Sequence, residues 1–116
     1  MSDLDPLVYI RRYESGGRYM VGYGGADLSR STLGLNGFPQ WSGVQTGKGW
    51  THAAGAYQFE PATWARYAGP LGIHDFSPVS QDRVARACYD DVGFSPWAPY
   101  DPRLAAAIVS AKGRFV

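Results

Sequence analysis

The stretch Tyr13-Glu14-Ser15-Gly16-Gly17 puts a carboxylic acid where an apolar helix gives way to glycine. Only Glu60 joins Glu14 as a glutamate in this chain. A carboxyl at the C-terminal end of a helix meets the negative end of the helix dipole, which disfavours ionisation. Partial burial beside aromatic side chains such as Tyr13 acts in the same direction. Both effects keep a proton on the group near neutral pH, as a general acid for glycosidic cleavage requires. A solvated acid that merely ends a helix has the same spacing, so the pattern alone leaves both roles open.

Most glycosidases flank the scissile bond with two carboxyls. Asp27 is the one acid between Arg18 and Phe59 and the possible second carboxylate, although a turn residue bonding its own backbone would look the same. Glu60 precedes a helix-starting proline, and Asp90-Asp91 falls at a helix end. His52 and His74 stand apart from any Cys or His at metal-ligand spacing, so no metal is expected. Cys88 falls in an amphipathic helical pattern and reads as a small core residue rather than a nucleophile. The run Gly22-Tyr23-Gly24-Gly25 lacks the strand-to-helix setting of a phosphate loop. No cofactor is expected.

The elements that must hold these residues follow from caps and breakers. Asp5 caps a first helix that starts at Pro6, puts Leu7, Ile10 and Arg11 on one face with Glu14, and ends at Gly16-Gly17. Eleven of the fifteen glycines lie between Gly16 and Gly55, which marks a glycine-rich β and loop lobe. There, RYMVGYGGADL reads as a short strand and turn, while GVQTGKGW and HAAGAYQF read as loop and strand pieces. Three more helices follow: one from Pro61 to a stop at Gly69, one capped by Ser77 and stopped by Gly93, and one capped by Asp101 and closed by Gly113. The result is an α+β domain of two lobes with a cleft between them, Glu14 entering from the helical side.

Composition narrows the partners. The 116 residues suit one domain with a sizeable core. A net charge of +1 does not favour nucleic acid, and no apolar run is long enough for membrane insertion. Aromatic residues make up 15% of the chain; their flat faces and polar tips suit sugars as well as core packing. One cysteine permits no intrachain disulfide.

Taken in order, YESGG, YMVGYGGADLS, HAAGAYQFEPATWARYAGPLGIHDFSPVSQDRVA and DPRLAAAI resemble consecutive segments of the bacteriophage lambda-type endolysin family, within the lysozyme-like superfamily. The likeness runs over most of residues 7–108. It implies a lysozyme-like α+β fold, with a small glycine-rich β lobe and a helical lobe either side of the active-site cleft. It also implies a single catalytic domain over residues 1–116 that acts on peptidoglycan glycan strands. The bond cut would be the β-1,4 link from N-acetylmuramic acid to N-acetylglucosamine, leaving 1,6-anhydromuramic ends. Glu14 then corresponds to the single catalytic acid. GAYQF would form a β-lobe strand at the cleft, with Tyr57 and Gln58 as sugar contacts and Gln58 favoured. Ser15 would support Glu14, and Tyr23 would serve as a sugar platform. The chain ends at AKGRFV, short of a further segment that completes the helical side and one cleft wall in that family.

Two other functions remain in play: a hydrolytic muramidase using Glu14 with Asp27, and a non-catalytic peptidoglycan-binding module. A binding module has no need of a proton donor at Glu14. The N-terminus does not resemble a signal peptide. The expected route is therefore cytoplasmic synthesis, then access to the periplasmic cell wall through a holin-type pore or with a particle. The expected state is a monomer.

Overall fold

In the computed structural model, which describes residues 4–116, proline begins all four α-helices among the described residues. These are α1 (Pro6–Ser15), α2 (Pro61–Leu71), α3 (Pro78–Val92) and α4 (Pro102–Ser110). Side chains cap three of them, as expected. Asp5 accepts from Leu7 N, Ser77 from Ser80 N, and Asp101 from Arg103 N and Leu104 N. Before α2, Glu60 does not cap. Its carboxylate accepts instead from the His52 N–H and the Thr51 hydroxyl, which ties the helix start to the small sheet.

That sheet is an antiparallel hairpin of β1 (Val44–Thr46) and β2 (Gly49–Thr51), paired Val44 to Thr51 and Thr46 to Gly49. It matches the GVQTGKGW segment. The strand expected in RYMVGYGGADL is absent. Val21 and Asp27 make a single bridge around a 3-10 turn at Tyr23–Gly25, because positive φ at Gly24 and Gly25 stops a ladder from propagating. GAYQF is no strand either. Ala54 and Phe59 pair across a tight turn, with Gly55 at φ 87° and Gln58 at φ 51°.

Two helix ends also differ from the sequence expectation. α2 passes through Gly69 and Pro70 to a left-handed cap at Gly72; both residues are solvent-exposed in its last turn. α4 stops at Ser110, with Gly113 in the turn beyond.

The core lies where the helices meet the loop lobe. Trp64, fully buried, packs against Phe38, Phe59 and Phe76 at ring distances of 6.0, 5.9 and 4.9 Å. Its indole N–H donates to Asn36 O (2.8 Å), and that of Trp97 to Tyr57 O (2.9 Å), so both large rings are buried without an orphan donor. Cys88 is buried among them; burial pushes its thiol up to about 11, which makes it inert at neutral pH. The architecture is α+β, a helical lobe with a small two-stranded sheet.

Candidate active site

The end of α1 builds one wall of a cavity. Gly16 and Gly17 adopt φ 68° and 84° and return their N–H groups to Arg12 O and Arg11 O (3.1 and 3.0 Å). This satisfies the last helix carbonyls and turns the chain sharply. Residues 18–25 can then cross to the opposite wall. Between the walls lies a cavity of about 500 Å³, lined by residues 12–16, Arg18, residues 21–25, Gln58 and Arg103. Glu14 is the only carboxylic acid among the described residues that line it. Its carboxyl is pushed up to about 7, first by burial and then by the negative charge of Asp101, with Arg103 opposing.

The cavity brings together Glu14, Ser15, Tyr23 and Gln58. Ser15 is buried, and its hydroxyl donates to Ala56 O (2.8 Å) while accepting from Gly17 N (3.2 Å). It ties α1 to the 54–59 turn and spends its hydrogen-bonding capacity on protein. Tyr23 is 47% exposed at the rim. Gln58 donates from Nε2 to Val21 O (3.2 Å) and Gly55 O (3.0 Å), so its amide is oriented by backbone.

Tyr57 and Asp27 stay outside. Tyr57 is fully buried, contrary to the expectation of a sugar contact. Its hydroxyl donates to Asp82 Oδ1 (2.6 Å) and accepts from Arg11 Nη1 (3.1 Å). Burial, with the Asp82 hydrogen bond, drives the phenol well above its ordinary range. Asp27 is exposed and accepts from Ser29 N (2.9 Å), which pulls its carboxyl below the usual value. It fills the turn role that its position allowed.

Three residues at the site had no local sequence signal, and a fourth had one only for another role. Arg12, Arg18 and Arg103 line the cavity, and Asp101, legible as a helix cap, also bears on Glu14. Arg103 Nη2 donates to Tyr13 O (3.1 Å), a contact between residues ninety positions apart. Nothing in a single sequence announces such a pairing.

The family model described as Endolysin matches residues 10–96. Among curated protein sequences none matches. Two solved structures of bacteriophage lambda lysozyme share the fold. One, complexed with a chitohexasaccharide, is 25% identical with a TM-score of 0.60. The other is 24% identical with a TM-score of 0.59. Each alignment covers 83% of this chain and 69% of the lambda protein.

Proposed function

The chain belongs to the endolysin family, and from that premise we propose that it cleaves peptidoglycan as a lytic transglycosylase with Glu14 as its single acid–base group. One observation carries this: Glu14, held at about 7, is the sole carboxylic acid among the described lining residues. A two-carboxylate mechanism needs a partner across the scissile bond, and Asp27 is not in the lining. The glycan seated in one lambda lysozyme structure supports the same kind of ligand for this cavity.

Protonated Glu14 gives its proton to the leaving glycosidic oxygen as the C1–O bond breaks. The resulting carboxylate then takes the proton of the muramic C6 hydroxyl while that oxygen bonds to C1. Glu14 ends reprotonated, and the sugar ends as a 1,6-anhydro ring. The tethered hydroxyl gains effective molarity that a free water lacks. Gln58 is the side chain we assign to the N-acetyl groups, and Tyr23 offers a ring face at the rim. Access to the wall would follow passage through a holin-type pore or delivery with a particle.

Mass spectrometry of digested muropeptides tests the reaction. Products should end in 1,6-anhydro-N-acetylmuramic acid, each one water lighter than a hydrolysis product and unchanged by borohydride. Predominantly reducible ends would replace this mechanism with hydrolysis.

A further inference from the structure

The cavity is cationic in a protein that is almost neutral. The whole chain carries a net charge of +1, yet Arg12, Arg18 and Arg103 share a lining whose only described acid is Glu14. Among the described residues, neither Arg12 nor Arg18 has a carboxylate within ion-pair distance. Both are nevertheless placed. The Arg12 guanidinium lies 5.7 Å from the Tyr9 ring centroid. Arg18 Nε donates to Ser15 O (3.2 Å), which anchors the base of the fork. Arg103 is held by Tyr13 O and stands 5.7 Å from the Tyr13 ring centroid. All three are solvent-exposed, and Arg103 Nε also lies 4.0 Å from Asp101 Oδ1, so what sets these arginines apart is that they gather at one cavity. A guanidinium fork matches a carboxylate with paired hydrogen bonds.

We infer that Arg12 and Arg18, assisted by Arg103, form a carboxylate-binding rim that selects glycan strands with acidic muramic substituents over neutral N-acetylglucosamine oligomers. This rests on the transglycosylase proposal and names what that site prefers. Two sources supply the carboxylate: the stem peptides of an intact strand, or the lactyl group bared when the peptide is removed. The uncharged hydroxyls and N-acetyl groups common to all such glycans give the arginines no charge to pair with.

The test compares the parent, Arg12→Gln, Arg18→Gln and the double variant on three substrates. These are intact peptidoglycan, the same material with carboxylates converted to amides by carbodiimide and ammonia, and amidase-stripped strands. Binding of the same strands and of chitohexaose is measured in a Glu14→Gln background, where cleavage does not interfere. Each arginine should contribute about tenfold to KM on carboxylate-bearing substrate, as a charge-assisted hydrogen bond does, with kcat changed much less. Amidation should bring the parent close to the double variant. Arg18→Lys should recover part of the loss, and added salt should weaken the parent more than the double variant. Preference for intact over stripped strands assigns the stem-peptide carboxylates, and the reverse assigns the lactyl group. Equal binding of native, amidated and stripped strands by the parent would overturn the rim. So would an equal loss by the double variant on anionic strands and on chitohexaose. Reducible product ends would instead overturn the transglycosylase mechanism while leaving the binding ratios intact, so the two failures are distinct.

Discussion

At Glu14 burial and, next, the negative charge of Asp101 act together and outweigh the opposing Arg103. The acid step uses the protonated form, so kcat/KM should be level below pH 7 and fall about tenfold per pH step above it. Glu14→Gln keeps the shape and removes the proton. Its lysis rate should drop about 10²–10⁴-fold or more, with circular dichroism unchanged. Stability should move in the opposite direction. Because the folded carboxyl titrates near 7 rather than 4.5, the native state binds more protons than the unfolded state between those values. Stability is therefore lost as pH rises through this window. The full shift corresponds to at most about 3 kcal/mol, cut to about 1–2 kcal/mol by solvent in the open cavity. Thermal melts should thus show Glu14→Gln matching the parent at pH 4 and exceeding it by several degrees at pH 8. A variant less stable at pH 8 would show that the ionised carboxylate is stabilised in the fold.

Two elements set the environment of that residue, and each gives a separable variant. The start of α4 holds Asp101, which caps the helix and raises the Glu14 carboxyl. Asp101→Asn keeps a capping side chain but removes the charge, so the alkaline limb of the pH–rate profile should move down with little change in melting temperature. Asp101→Ala should lose about 1 kcal/mol besides. The 54–59 turn is held by Gln81, whose Oε1 accepts from Ala56 N (2.9 Å) and whose Nε2 donates to Phe76 O (2.8 Å). A Cβ on Gly55 would lie 2.3 Å from that Oε1 and 2.7 Å from the Phe76 ring, at φ +87°. Gly55→Ala should therefore lose about 3 kcal/mol or more in urea unfolding. These elements also mark what the sequence could tell. Helix starts were legible because Asp-Pro and Ser-Pro satisfy local rules of capping and φ. The 54–59 turn was not, because its hold comes from Gln81, twenty-five residues along the chain from Ala56. The α2 stop was misplaced for a related reason: Gly69 fits inside the helix, and the left-handed position falls to Gly72. The helix-end position of Glu14 was legible but left its role open until the family resemblance, while its Asp101 and Arg103 neighbours depend on α4 packing against α1.

At the scale of the whole molecule, Leu4 before α1 meets the segment around Arg114–Val116, far from Glu14 in sequence at the C-terminal side. Leu4 N donates to Arg114 O (2.7 Å) and Val116 N to Leu4 O (2.9 Å). Phe115 then sits edge-on to both Tyr9 and Phe94, with ring centroids 5.0 Å apart in each case. The contact links α1, which carries Glu14 at its other end, to the segment that follows α3. Phe115 takes no part in lining the cavity, so its contribution should be to stability alone. Phe115→Ala removes two aromatic contacts and a half-buried ring, a loss of about 2–3 kcal/mol. In a domain of this size that lowers the melting temperature by about 10 °C. Turnover of cell walls at 25 °C should stay within about twofold of the parent, since a loss of this size leaves a protein of ordinary stability mostly folded. Calorimetry and a turbidity assay on the same preparation separate the two quantities. A folded Phe115→Ala protein with much reduced turnover would mean that this contact fixes the angle at which α1 presents Glu14, and that the helical wall of the cavity is less rigid than its packing implies.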